Sequence, residues 1–186
     1  MARILGTIAS SFEVAGDFES IATGTVGASS TSSVITFSSI PSTYTHLQLR
    51  MFVRATQRTA LLMRFNNDSG STNYDFHRMN ADGSSVGTDA RINFSAIYIS
   101  SRGYGIPATT SIGSAVVVDI LDYTNTNKNK VTRTLSAQEL NTSLSDIELA
   151  SGSWKDTTAI NRIDLSMEAG SLAQYTHIAL YGIKGA

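Results

Sequence analysis

An antiparallel all-β fold is predicted by three observations. The segment Tyr44-Thr45-His46-Leu47-Gln48-Leu49 returns as Tyr175-Thr176-His177-Ile178-Ala179-Leu180, and each copy opens a run in which apolar and other residues alternate. Ser and Thr make up about a quarter of the 186 residues, a composition that favours strands and side-chain-capped turns over helices, because hydroxyls compete with helical hydrogen bonds. Turn signals separate short apolar runs at intervals of about 8 to 14 residues, as in sandwiches. The expected architecture is a β-sandwich or jelly roll of about ten strands, with the two copies of the repeat in one sheet. Residues 1–18 read as an extended N-terminal arm and 19–186 as a single domain.

Composition narrows the partners. With 41% hydrophobic and 16% charged residues the chain is long enough for one well-buried core. Fourteen Lys and Arg against fifteen Asp and Glu give a net charge of -1, without the basic excess of a nucleic-acid binder. The absence of Cys excludes a disulfide framework, a thiolate nucleophile and a Cys-ligated zinc site. Apolar stretches such as 115–118 are too short to span a bilayer, and Glu13, Asp17 and Glu19 interrupt any signal-peptide core, so synthesis in the cytoplasm without membrane insertion is expected.

Along the chain, Gly6 and Gly16 punctuate an arm with little period-2 pattern. Strands are predicted from Ile21 to Val26 and from Ser33 to Phe37, parted by a small-residue turn. Ile40-Pro41-Ser42 breaks the pattern, since Pro lacks a donor and holds Ile40 extended. From His46, the residues Leu47, Leu49, Met51 and Val53 alternate with Gln48, Arg50, Phe52 and Arg54. A turn around Gln57 would return the chain through Leu61, Met63 and Phe65. Asn66 to Gly70 is a loop, Tyr74 to Met79 a strand, and Asp82-Gly83 a hairpin signal. Residues 84–93 read as loop, Phe94 to Ile99 as strand, and Ser101 to Thr110 as a surface connection. Ile112 to Tyr123 is the candidate for a central strand buried on both faces, joined as a hairpin to the alternation at Val131, Arg133, Leu135 and Ala137. Ala137 to Leu149 fits a loop followed by a strand. Ile163, Leu165 and Met167 form another strand, and the last runs from Tyr175 to Ile183.

Four blocks carry a family resemblance: Phe37 to Leu47, Arg64 to Asp68, Asp119 to Lys128, and the ending Leu180 to Gly185. Together they resemble a family of virion proteins of tailed bacteriophages, common among phages of aquatic bacteria, over nearly the whole chain after about residue 18. The resemblance implies a jelly-roll protein on the exterior of the particle, often a homotrimer. It would serve as a capsid decoration or cement protein against the major capsid protein, or as a tail appendage recognising a host glycan among tail proteins. Surface loops such as Ser101 to Thr110 or Ala81 to Thr88 would carry such recognition. The family supplies no catalytic motif, and neither a catalytic residue nor a cofactor nor a metal is expected.

The remaining constellations have structural readings beside functional ones. His46 and His177 hold equivalent places in the repeat, so a symmetric metal pair competes with a plain strand corner, although two His complete no zinc site. Tyr44 and Tyr175 are expected to cover one end of the barrel, their hydroxyls on backbone. Asp75 and His77 share a strand face, the one local acid–imidazole pair. Asn66 to Asp75 could wrap calcium but lacks the spaced acids of a calcium loop, which favours a hydrogen-bonded turn. Arg50 and Arg54 would project from one polar face with Arg64 opposite Arg50, a candidate protein interface that needs carboxylates to cover it. Tyr98, Tyr104 and Trp154 would form a glycan-stacking surface if exposed together.

Overall fold

The computed structural model describes residues 17–100, 105–108, 112–140 and 145–185. Among them there are fourteen strands and no helix: β1 (Phe18–Thr25), β2 (Thr31–Ser32), β3 (Val34–Phe37), β4 (His46–Val53), β5 (Leu61–Phe65), β6 (Tyr74–Ala81), β7 (Val86–Phe94), β8 (Ile97–Tyr98), β9 (Ser114–Leu121), β10 (Lys130–Gln138), β11 (Asp146–Trp154), β12 (Ile163–Met167), β13 (Leu172–Ala173) and β14 (His177–Ile183). An eight-stranded sheet runs β1-β14-β4-β9-β10-β11-β6-β7, a four-stranded sheet runs β3-β12-β5-β8, and β13 pairs with β2. Every pairing is antiparallel.

The two large sheets enclose one core, as expected of an antiparallel sandwich of the jelly-roll kind. Leu47, Leu49, Met51 and Val53 of β4 point into it with Val116, Val118 and Ile120 of β9, facing Leu61, Met63 and Phe65 of β5 and Ile163 and Leu165 of β12. Burial of this apolar surface is the main favourable term in folding. Trp154 packs against Phe65 and Tyr74, with ring centroids 5.6 and 6.4 Å away. Gly152 lets the sheets approach closely: a Cβ there would stand 2.5 Å from Ile97 Cγ2 and 2.8 Å from Thr132 Oγ1.

The repeat does place its strands in one sheet, β4 directly against β14. Several expectations are corrected. The chain does not turn back at Gln57; Ala55 bridges to Leu172, and β5 crosses to the other sheet, where β12 and β8 flank it. Residues 86–94 form a strand rather than a loop, hidden from pattern reading because an edge strand exposed along both faces shows no clean alternation. Only Ile97–Tyr98 of the expected 94–99 strand pairs as β8, since Phe94 closes β7. Strand β9 is central, yet buried on one face only. Gly105 to Pro107, expected on the surface, are buried, and Ile106 bridges to Thr59. Ala108 is exposed, residues 101–104 and 109–110 of that connection lie outside the described residues, as does the arm before Asp17, and Phe18 already belongs to β1.

The expected hairpin of β9 and β10 is present, and β10 turns its apolar set outward. Val131, Arg133, Leu135 and Ala137 point outward, while Lys130, Thr132, Thr134, Ser136 and Gln138 are buried. In β11 likewise, Ile147 and Leu149 face out and Glu148 is buried. Because the side-chain period is two, such a strand carries its apolar set to solvent. The buried Lys130 is satisfied by carbonyls, its Nζ donating to Asn125 and Thr157 at 2.7 Å each and to Lys128 at 3.2 Å.

Candidate functional site

The four blocks of the resemblance converge on one end of the sandwich. The Thr45 amide donates to the Ile183 carbonyl at 2.9 Å, and the Gly185 amide to Thr45 Oγ1 at 2.9 Å. The Asp122 amide donates to His46 Nδ1 at 2.9 Å, and the Tyr123 hydroxyl to the Pro41 carbonyl. Asn66 joins through the segment 159–162, its Oδ1 accepting the amides of Asn161 and Arg162 at 2.9 and 3.1 Å, while Ile160 donates to the Tyr123 carbonyl. These bonds close corners and knit strand ends together.

The predicted sites do not assemble. His46 lies opposite Ile183 and His177 opposite Phe52, at the two ends of the β4–β14 ladder, about 20 Å apart at strand rise, which removes the metal pair. Tyr44 donates its hydroxyl to the Glu19 carboxylate at 2.8 Å rather than to backbone, and Tyr175 is exposed with a left-handed φ of 66°. Asp75 is turned to the Lys155 ammonium and the Asn93 amide, both at 2.8 Å. Ser151 does stand opposite His77, a neighbour the sequence could not supply, but no hydrogen bond among the described residues links it to His77 or His77 to Asp75. Asp68 has donors on its oxygens: Trp154 Nε1 at 2.7 Å, the Gly70 amide at 2.8 Å, and Asn73 Nδ2. Burial alone would raise its carboxyl, but these bonds outweigh it and hold it below the ordinary range. The Asn66–Asp75 segment is thus a hydrogen-bonded turn. Trp154 and Tyr98 are 1% and 5% exposed, so neither offers a ring to a sugar, and Tyr104 lies outside the described residues.

The three arginines occupy different environments. Arg54 is buried at 4% exposure, donating to the Gln174 carbonyl at 3.1 Å. Arg64 sits in the other sheet opposite Asp164 and donates to the Ser95 carbonyl at 2.9 Å. Arg50 lies outside between Val117 and Ala179, its guanidinium over the stacked rings of Phe18 and Tyr181. Arg50 and Arg64 therefore never face one another, because β4 and β5 share no ladder.

What the sheet does build is a broad outer face. One row across it reads Phe52, Ala115, Ala137, Ile147, Ala81 and Val86; the next reads Arg50, Val117, Leu135, Leu149, Met79 and Thr88. Leu135, Met79 and Ile147 are 49%, 49% and 52% exposed. A shallow concavity of about 640 Å³ opens over Phe52, Ala115, Ala137 and Ile147, with the acidic Asp82, Glu139 and Asp146 also in its lining. Beyond these rows the face turns polar at Gln48, Asp119, Arg133, Ser151 and His77. Asp119 accepts from Gln48 at 2.8 Å and from Arg133 at 2.6 and 3.1 Å. Burial pushes its carboxyl up, and the Gln48 and Arg133 bonds more than reverse this. Among the described residues no hydrogen bond joins an acid, a base and a nucleophile on this face.

No family model, curated protein or solved structure matches the chain.

Proposed function

We propose that this protein is a structural component of a tailed-bacteriophage particle, displayed on the exterior of the capsid as a decoration protein and acting by adhesion. The observation that carries the reading is the convergence of the four resembling blocks on one hydrogen-bonded end of the sandwich. Residues that mark the family are thereby residues that close the fold, which suits a protein whose task is to be a rigid, repeated building piece. The Cys-free sandwich and near-zero net charge fit association through buried area multiplied over many symmetric contacts.

The test is cryo-electron microscopy of virions purified from the phage that encodes the chain, together with peptide mass spectrometry of the same particles. Density of this sandwich at many equivalent capsid sites is the expected result. Density confined to the tail would replace decoration by a tail-appendage role, and absence of its peptides from purified particles would end the virion reading.

A further inference from the structure

We propose that the concavity at one end of the outer face of the eight-stranded sheet receives a lysine side chain presented by a different protein. Its floor is apolar. Phe52, Ala115, Ala137 and Ile147 stand side by side on β4, β9, β10 and β11, and the small alanines between two large residues leave the depression. Phe52 and Ile147 are 43% and 52% exposed, so this floor is uncovered. Exposed apolar surface beside polar groups marks an interaction site.

Its rim is acidic. Asp82 follows β6, Glu139 follows β10 and Asp146 opens β11, so three strand ends bring three carboxyls to the same side of the floor. No Lys, Arg or His stands with them among the described lining residues. Asp82 accepts the Ser84 and Ser85 amides at 2.9 and 2.7 Å, and Glu139 accepts the Ser145 hydroxyl at 2.8 Å. Those donors are neutral and fix the direction of each carboxylate. Arg58 and Arg78 act on Asp146 from outside the lining, and Arg78 is itself engaged by Asp89 at 3.0 Å and Glu148 at 3.7 Å.

Charge and shape select the occupant. A side chain that is apolar along its stem and cationic at its tip can lie on the floor while its charge reaches the rim, and lysine is built that way. An anionic partner would meet like charge. A wholly apolar one would desolvate the carboxylates and give them nothing in return. The compact ammonium, with three rotatable donors, suits carboxyls set on separate strands better than the fixed fork of arginine does.

The lysine comes from another protein because this chain has none to spare. Of its four lysines, Lys128 is held by Asp122, Lys155 by Asp75 at 2.8 Å and Lys184 by Glu19 at 3.2 Å, while the buried Lys130 donates to three carbonyls. A free amine would be covered on one side only in so shallow a site. Beside it Leu135, Leu149 and Met79 continue the apolar surface at 49%, 46% and 49% exposure, which a protein bringing the lysine covers as well.

This inference goes beyond the particle reading and does not rest on it, since its test uses the purified full chain. Three capped tripeptides, leucyl-lysyl-leucine and its norleucine and glutamate counterparts, are titrated into the isotope-labelled protein and followed by backbone amide shifts. The lysine peptide should move the Ala115, Ala137 and Ile147 amides and bind about threefold to tenfold more tightly than the norleucine peptide, which keeps the stem without the ammonium. The glutamate peptide should bind most weakly. Glu139→Gln, at an exposed position, should bring the lysine peptide toward the norleucine affinity; the wild-type comparison stands by itself should that variant not fold. Equal affinities for the lysine and norleucine peptides, or no shift at the concavity with the lysine peptide, would overturn the proposal. So would concavity amides that move when the free chain is diluted, because a second copy would then be the occupant.

Discussion

Leu49 stands directly opposite Leu180 in the β4–β14 ladder, and the two are the same residue of the repeated segment, the last of each copy. The two copies therefore run antiparallel about a local two-fold that passes between these leucines. Both are fully buried. Repetition here serves packing, since it places one side-chain shape on each side of the axis.

Leu49→Ala and Leu180→Ala should each lower stability by about 2–5 kcal/mol, the range for a buried leucine truncated beside neighbours that only partly collapse. Because the residues face each other, the double variant should depart from additivity by more than about 0.5 kcal/mol. Urea unfolding of the four proteins measures both. Strict additivity would mean that the leucines do not share one packing environment.

The pairing of β4 with β14 was legible because a repeat leaves a sequence trace independent of burial. The hairpin of β9 and β10 was legible because Asn125, Asn127 and Lys128 make a turn between two alternating runs. Burial was not. Alternation states that Leu135 and Thr134 face opposite ways and is silent about which faces the core; in β10 the threonine does. The crossing of the chain between sheets at Arg54 and Ala55 was hidden too, because the spacing from Val53 to Leu61 suits a turn equally well. What decides it is remote in sequence: Thr176 Oγ1 accepts the Arg54 amide at 3.1 Å and donates to its carbonyl at 3.2 Å, and Ala173 donates to that carbonyl at 2.8 Å. The exposed apolar rows could not be read either, since they arise only when six strands from different parts of the chain align.

Lys130 provides the next test. Desolvation pulls its ammonium below the ordinary lysine range, while Asp156 pulls it back. Its role is to satisfy three carbonyls where the turn after β9 meets the segment after β11. Lys130→Met keeps the stem and removes the donors, and should cost about 2–3 kcal/mol by leaving acceptors unpaired. Thermal unfolding reads it; an unchanged midpoint would show that water replaces the ammonium without loss.

Gly152→Ala should destabilise by about 1–3 kcal/mol, because the added methyl would meet Ile97 and Thr132 at distances that no ordinary Cβ tolerates. Removing the neighbour's γ carbons should relieve it, so Gly152→Ala should cost less in an Ile97→Ala background than in the wild type. Equal cost in both backgrounds would locate the strain in backbone rather than at Ile97.

Acid should unfold the protein through Asp68 among other carboxylates, and the single tryptophan reports it. The Asp68 carboxyl is lowered in the folded chain, with burial opposed and outweighed by bonds from Trp154, Gly70 and Asn73. A group lowered on folding contributes stability that is complete above its unfolded value, about 3.9 for Asp, and is lost as pH falls through the folded one. Stability should therefore hold above pH about 5 and decline below about 4, with Trp154 emission shifting to the red as its Nε1 loses the carboxylate and its ring meets water. Asp164, Asp119 and Asp75 are lowered too and add to the decline, whereas Asp146, raised by burial, opposes it. Asp68→Asn should be less stable at neutral pH and show a shallower loss in acid than the wild type. A parallel acid profile in the two proteins would remove Asp68 from the group that sets it.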